Sequence, residues 1–441
     1  MKQYDNYKNS GVEWLGEIPE HWEVKKMKFI GNIYAGINGK KGDDFSKEYS
    51  DGIKSFIPFT NICNNIKIDD NQYQYVKISE NENQNRVKKN DILFLMSSET
   101  LDDIAKNSIY LGENTELYLN SFCKGFRISK HNVNAEFVNY LFLSTTYRNY
   151  FSLVGRGFTR INLKQEFIND AYALLPKLKE QTAIANFLDN KTTKIDQAIA
   201  IKQQQIALLQ ERRQILIHKA VTRGLNENVK LKDSGVEWIG EIPEHWEVKK
   251  IKHIFEQIKT GTTPSTSNPK FYDGEIDWYN PKDLNNEYLN YSEKKISQHA
   301  VDRKEISLFP SDSILIVGIG GTTGKTSYLI NKGTFNQQIT GFHSQKQYNK
   351  YYFYLFHSLS KVMLNTASYT TLPILNNEFF KSFRLIKPKI EEQKQIVEFI
   401  ETATTKIATA ISLKEQEIEK LKEYKMSLID GVVTGKVRVI S

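Results

Sequence analysis

Cysteine is almost missing from this sequence: Cys63 and Cys123 are the only two among 441 residues. Two thiols cannot build a disulfide framework or a four-thiolate metal site. The eight histidines show no metal-ligand spacing. No apolar run approaches the ~18–20 residues that a membrane span requires. The opening stretch, MKQYDNYKNS, is polar and does not read as a secretory signal. These absences lead us to expect a reducing cytoplasm and no membrane attachment.

Catalytic signatures are scarce too. No carboxylate cluster followed by lysine suggests a nuclease, and no glycine-rich turn after a strand offers a cofactor seat. ILIVGIGGTTGKTSYLI (314–330) resembles a phosphate-binding loop, which needs glycine five residues before the glycine of Gly-Lys-Thr. That place is Ile319, with Gly318 and Gly320 on either side. The residues after Thr326 look like a strand, whereas a phosphate loop opens a helix. The segment reads as strand–turn–strand. DWYNPKDL (277–284) is similar to an adenine-methyltransferase loop, but Lys282 breaks the pattern.

Positive charge is plentiful. Lys and Arg number 60 against 52 Asp and Glu, a net charge of +8. A basic surface attracts polyanions, and each neutralised phosphate releases counterions. The length suggests two to four domains.

A long repeat organises the chain. Residues 9–30 and 233–254 share 18 of 22 positions, including SGVEW and GEIPEHWEVKK. The offset is 224. PKLKEQTAIANFLDNKTTKIDQAIAIKQQQIALL (176–209) aligns without gaps with PKIEEQKQIVEFIETATTKIATAISLKEQEIEKL (388–421), at an offset of 212. The inserts between these frames, about 31–157 and 255–369, show little resemblance, and the first is twelve residues longer. The period far exceeds the 20–50 residues of solenoids, so a half-molecule has been duplicated. In the framing segment, Trp14, Trp22, Trp238 and Trp246 are expected as buried anchors, with Pro19 and Pro243 setting turns before a strand.

The second frame segment is helical. A heptad stripe runs through Ile195, Ile199, Lys202, Ile206, Leu209, Arg213, Leu216 and Ala220. The other copy gives Ile407, Ile411, Lys414, Ile418, Leu421, Lys425, Leu428 and Val432. Apolar residues repeating every 3.5 positions are the coiled-coil signal. The expected interface is Ile195, Ile199, Ile206, Leu209 and Leu216 against Ile407, Ile411, Ile418, Leu421 and Leu428. The pattern predicts short helices at 178–188 and 390–400, then long ones at 192–221 and 404–433. At 1.5 Å per residue each long helix spans ~45 Å.

Both inserts read as mixed α/β. Strands are expected at 91–99, 122–129 and 312–319, and helices at 134–151 and 350–364. Loops 36–44 and 259–270 are rich in Gly, Ser, Thr, Asn and Lys, which supply backbone and base hydrogen bonds in nucleic-acid readers.

Together these features carry a resemblance. The framing repeat, the Glu180–Gln181 and Glu392–Gln393 pairs near the helix starts, and SSETLDDIA (97–105), TGTTPS (260–265), GGTTGKT (320–326) and FNQQITGF (335–342) stand in this order. The chain resembles, over essentially its whole length, the DNA specificity subunit of type I restriction–modification enzymes. The resemblance implies an α/β (α+β) fold. Two globular target recognition domains are separated by a pair of long antiparallel coiled-coil helices, in an internal pseudo-twofold repeat. It implies target recognition domains at 1–175 and 223–387, and conserved helical regions at 176–222 and 388–441. Each domain would read one half of an asymmetric split target in double-stranded DNA, with the helices as a spacing ruler. A rod of ~45 Å exceeds the ~34–36 Å of one B-DNA turn, which leaves several base pairs unread.

The resemblance further implies two modification subunits as partners, binding S-adenosylmethionine and methylating adenine, and up to two restriction subunits using ATP and Mg. This chain would hold no cofactor and no metal and would be no enzyme itself. Candidate DNA contacts are Lys40, Lys41, Arg156 and Arg160 in the first half. In the second they are Lys259, Thr262, Thr263, Lys325, Gln337, Gln338, Tyr369 and Thr370. Arginine pairs with guanine and glutamine with adenine; Tyr369 either stacks on a base or packs. A protein-interaction scaffold would carry similar helices, but the basic charge and the unlike inserts argue against it.

Overall fold

The computed structural model describes residues 2–79, 81–157, 159–369 and 373–439. The chain forms two compact units, Met1–Lys202 with Glu415–Ser441, and Gln203–Lys414. The division falls inside both long helices, Leu178–Arg223 and Ile390–Val433. The fold is mixed α/β, with two sheet-containing modules and two long helices.

In the first unit, four antiparallel strands lie in the order Asn107–Ile109, Ile92–Leu95, Cys123–Ile128, Gly31–Ala35. The central Ile92–Leu95 strand is buried throughout. Side chains alternate across a strand, so Ile92 and Phe94 enter one core while Leu93 and Leu95 enter another. The first core holds the helix Ala135–Leu143 through Phe137, Leu141 and Phe142. Near the second lies another four-stranded sheet, with shorter strands, in which Leu117–Leu119 runs parallel to Lys54–Ile57.

In the second unit the order is Gln257–Thr260, Ile339–His343, Ile314–Val317, Thr326–Leu329, Tyr288–Leu289. Ile314 and Ile316 face one core, Leu315 and Val317 the other. Again the second sheet, here of three strands, carries a parallel pair, Tyr272–Tyr279 with Gly333–Phe335. Inserts with little common sequence thus share a four-strand antiparallel order, to which the second unit adds the parallel edge strand Tyr288–Leu289. Ile314–Val317 and Thr326–Leu329 are antiparallel neighbours, the expected strand–turn–strand.

Each insert is closed at its base by the frame. Glu23–Lys26 pairs with Tyr172–Leu175 in the first unit, and Glu247–Lys250 pairs with Arg384–Lys387 in the second. The chain therefore leaves each module beside the point where it enters. Trp22 and Trp246 are fully buried, and each donates its backbone N–H to the proline three residues back, Pro19 or Pro243. Trp14 and Trp238 depart from expectation. They are half-buried and stack on aromatics at the edge of each core, Trp14 on half-buried Tyr150 at 4.5 Å and Trp238 on buried Phe383 at 4.9 Å.

The helices correct two further expectations. Leu178–Arg223 and Ile390–Val433 are single helices of 46 and 44 residues, not a short and a long helix each. The polar segment Asp189–Asn190–Lys191–Thr192–Thr193 contains no Gly or Pro to stop a helix. Thr192 returns its hydroxyl to the Asp189 carbonyl at 3.3 Å, and Thr404 to that of Glu401 at 3.3 Å. A threonine so bonded sits inside a helix instead of capping one. Conversely, the helix expected at 134–151 breaks in two, Ala135–Leu143 and Thr145–Val154. Ser144 between them is extended, with its hydroxyl on the Leu141 carbonyl at 2.8 Å. The second module keeps one helix, Asn349–Thr366.

Within the first unit, the start of one long helix lies antiparallel to the end of the other. Asp196 pairs with Lys425 at 2.7 Å, and Lys202 pairs with Glu417. Ile195 and Leu428 are buried in the same core, with Ile199 and Leu421 packed against it. In the second unit Ile217, Ala220 and Val221 share a core with Ile396, Val397 and Ile400, and Leu216 packs beside them. Of the remaining stripe residues, Ile407 and Ile418 are buried, while Ile206, Leu209 and Ile411 are half-buried.

Candidate nucleic-acid interface

The candidate surface of each module lies where its central strand ends. In the first unit the chain turns after Leu95 into Ser97–Ser98, which pairs with Ile161–Asn162. Leu163 N–H donates to the Met96 carbonyl at 2.9 Å. The second unit repeats this join: Leu375 N–H donates to the Gly318 carbonyl at 2.8 Å, and Ile319 bridges to Ile374.

Arg156 and Arg160 sit beside the first join, both exposed. Arg160 lies over the Phe122 ring at 4.9 Å, with Glu99 3.8 Å away. Arg156 holds the Leu153 and Gly155 carbonyls. Gly157 between them has φ +153°, and a Cβ there would lie 1.9 Å from the Arg160 carbonyl oxygen. Only glycine lets the loop turn so tightly. The loop carrying Lys40 and Lys41 starts against the segment that holds Phe122, with Ile37 N–H on the Leu119 carbonyl at 2.8 Å. Lys41 is exposed. Lys40 is largely covered and held by Glu82 at 2.6 Å. Hydrogen bonds from Lys40 and the Ser79 backbone hold the Glu82 carboxyl at about 2.

In the second unit Thr262, Thr263, Gln337 and Gln338 come together. The Thr263 hydroxyl donates to Gln337 Oε1 at 2.5 Å. Thr262 donates its hydroxyl to the Glu305 carbonyl at 2.9 Å. A Cβ on Gly261 would lie 2.0 Å from the Phe335 carbonyl oxygen, so glycine permits this approach. Among the described residues the Gln338 side-chain amide makes only long contacts, accepting from Asn336 Nδ2 at 3.3 Å and donating to the Ile319 carbonyl at 3.4 Å. Both glutamines line a recess of about 390 Å³ with Ile319, Asn376 and Asn377. Lys259 is exposed on the edge strand. Lys325 lies elsewhere, bonded to Asn285 Oδ1 in a different cleft. Tyr369 belongs to a short strand paired with Pro373–Ile374, and Thr370 lies outside the described residues.

Sequence reasoning passed over Ser97, Ser98 and Phe122 in the first module, and Ile319, Asn376 and Asn377 in the second. Ser97 and Ser98 open the SSETLDDIA stretch, so a signal was present; Phe122 had none. The structure also gives the Glu-Gln pairs a purpose. Glu180 accepts from Tyr4 at 2.7 Å and Trp22 at 3.3 Å and meets His21 at 2.9 Å. Glu392 takes Trp246 at 2.9 Å and His245 at 3.0 Å. Gln181 accepts from Asn134 N–H at 2.8 Å and donates to the Pro176 carbonyl at 2.8 Å. Gln393 does the same with Tyr348 N–H and Pro388, both at 2.9 Å. The strictly repeated His-Trp is therefore a clasp on the helix start.

Amides, hydroxyls and guanidinium groups on strand-end loops can bond base edges and phosphates. Among the described residues, no group of three His, Cys, Asp or Glu could hold a metal ion. No helix among them is long and apolar enough to cross a membrane.

One frame presenting two unlike modules with a common strand order defines a duplicated recognition protein. The sequence profile of the type I restriction modification DNA specificity domain matches residues 19–211 and 243–423. A putative type I restriction enzyme MjaX specificity subunit from Methanocaldococcus jannaschii is 26% identical over 99% of this chain and 97% of its own. The MjaVIII specificity subunit of the same organism is 28% identical over 96% and 94%. A solved chain described under the complex assembly and conformational transition of the type I R-M system superposes with a TM-score of 0.73 at 12% identity, covering 95% of this chain and 99% of that one. The chain belongs to the type I restriction–modification DNA specificity subunits, and its role is DNA sequence specificity.

Proposed function

We propose that this chain acts in the cytoplasm as the non-catalytic reader of a type I enzyme on double-stranded DNA. Each module reads one half of an asymmetric bipartite target. The first recognition domain takes residues 1–175 and the second 223–387, with helical regions at 176–222 and 388–441 that fix the unread gap. The frame recruits modification subunits, two in the full assembly, which bind S-adenosylmethionine and methylate adenine. Restriction subunits, where present, bring ATP and Mg. Arg156, Arg160, Lys259, Thr263, Gln337 and Gln338 are the contacts we favour.

The observation behind this reading is that two modules with a common strand order carry unlike residues on the matching strand-end loops. A shared target would need no such difference. The test is methylation mapping in a host carrying this chain and its methyltransferase. Exchanging residues 31–157 for another family member's insert should change one half-site only; a change in both halves sinks the modular reading. Inserting four residues into each long helix should widen the gap, and an unchanged gap removes the ruler.

A further inference from the structure

The second unit contains a cleft of about 600 Å³ between the helix segment from Arg213 to His218 and the recognition module. This volume suits a small ligand. Ile217 and Leu284 are buried at its floor, and Ile215 is exposed at its mouth. Glu287 is the only carboxylate among the lining residues. It is committed to Arg213 in a two-pronged ion pair at 2.9 and 3.0 Å. Lys325 faces a neutral amide, Asn285. Lys361 has no ion-pair partner among the described residues. Two ammonium groups thus face the cleft without a counter-charge.

The first unit handles the same place differently. Ser144 and Ser358 mark matching positions, since each hydroxyl bonds the leucine carbonyl three residues back. The matching glutamines, Gln181 and Gln393, likewise hold the chain just before each helix, at Asn134 and Tyr348. In sequence order Tyr147, past the break at Ser144, stands where Lys361 does, and the helix repeat pairs Asp430 with His218. In the first unit Tyr147 is fully buried, with its hydroxyl on the Tyr172 carbonyl. Asp430 accepts from Thr146 N–H at 2.9 Å. In the second unit the module helix runs on unbroken, and the sequence has lysine for the tyrosine and histidine for the aspartate. The second-unit cleft is open and basic.

We propose that this cleft binds an anionic small molecule with an aromatic or aliphatic body. Its carboxylate, sulfonate or phosphate lies on Lys325 and Lys361, and its body lies against Ile215, Ile217 and Leu284. The proposal does not depend on which bases the modules read. Duplex DNA is the other source of such an anion, and the test separates the two.

The probe is 8-anilinonaphthalene-1-sulfonate, titrated by fluorescence into the full chain. One saturable site is expected, with Kd raised at least tenfold by Lys325→Ala with Lys361→Ala. Gln214→Trp, which fills the cleft from an exposed helix position and keeps both lysines, should raise Kd as much. Lys191→Ala with Lys194→Ala should leave it unchanged. An unaltered Kd in both cleft variants overturns the proposal. So does release of the probe by stoichiometric duplex DNA, which would make the cleft part of the DNA path. Retention of the probe beside bound duplex supports it.

Discussion

The two units share a plan but fasten it differently. In the first, the paired helix segments are joined by Asp196–Lys425 and Lys202–Glu417. The repeat places Ala408 and Gln205 where those two acids would recur. Both partner cations are retained, as Arg213 and Lys414. Arg213 turns to Glu287 of the second recognition module instead. The loss of one carboxylate thus exchanges a helix-to-helix tie for a helix-to-module tie. Duplication preserved the backbone scheme and left its charged fastenings free to diverge.

The clasp at each helix start gives the largest contrast to test. Glu180 has three partners and little exposure, whereas Glu392 has two, and Asn228 occupies the place that matches Tyr4. Removing a buried charged acceptor strands its donors, so Glu180→Ala is expected to cost ~4 kcal/mol and Glu392→Ala ~2 kcal/mol. Urea unfolding followed by tryptophan fluorescence measures both; equal losses would erase the contrast.

The glycines that end the long helices come next. Gly224 and Gly435 have φ +75° and +77°, in the left-handed region. A Cβ on Gly435 would lie 2.4 Å from Pro19, whereas one on Gly224 would lie 3.2 Å from Trp246. Left-handed strain costs ~1–2 kcal/mol and overpacking adds a similar amount. Gly435→Ala should therefore lower stability by about 3 kcal/mol and Gly224→Ala by about 1 kcal/mol, read as the difference in urea midpoints.

Acid should act unevenly as well. Burial raises the Asp430 pKa, but hydrogen bonds from Thr146 and Lys436 outweigh it and leave the group below the usual carboxylate value. A depressed native pKa contributes stability that is complete above about pH 4 and fades as pH falls through the native value. Asp430→Asn should cost ~1 kcal/mol at neutral pH, as loss of a helix cap does. It should also flatten the fall in Tm between pH 5 and pH 3. His218 at the matching position provides no such carboxylate, so His218→Asn should leave that slope unchanged.

The ion pairs give the smallest effects, because they are partly exposed. Arg213→Met and Lys425→Met should each cost ~0.5–1 kcal/mol. Adding Glu287→Gln to Arg213→Met should cost little more, as should adding Asp196→Asn to Lys425→Met. A full second loss in either cycle would mean that the drawn pair is not the one that matters.

Much of this was legible from sequence because it is periodic or repeated. The heptad stripes, the duplicated frame and the central strands all have short-range signatures. What stayed hidden depends on distant partners. Lys40 looked like a free loop lysine because Glu82, which holds it, lies 42 residues away. The helix continuity at Thr192 turns on where a hydroxyl points, and the same residue type caps helices elsewhere. The strand pairing common to the inserts escaped alignment because a strand needs only apolar alternation, which many unlike sequences satisfy. In the candidate surface, the loops were found but their pairing was not: Ser97–Ser98 meets Ile161–Asn162 across more than sixty residues.

The grip of Gln181 and Gln393 has a consequence of another kind. Each glutamine holds its module through the main chain, at Asn134 N–H and Tyr348 N–H. A peptide group is the same whatever side chain it carries, so this hold is blind to sequence. Substitutions can accumulate across the module surface without loosening its seat. Side chains on a module can therefore change while the main-chain hold at each helix start stays the same.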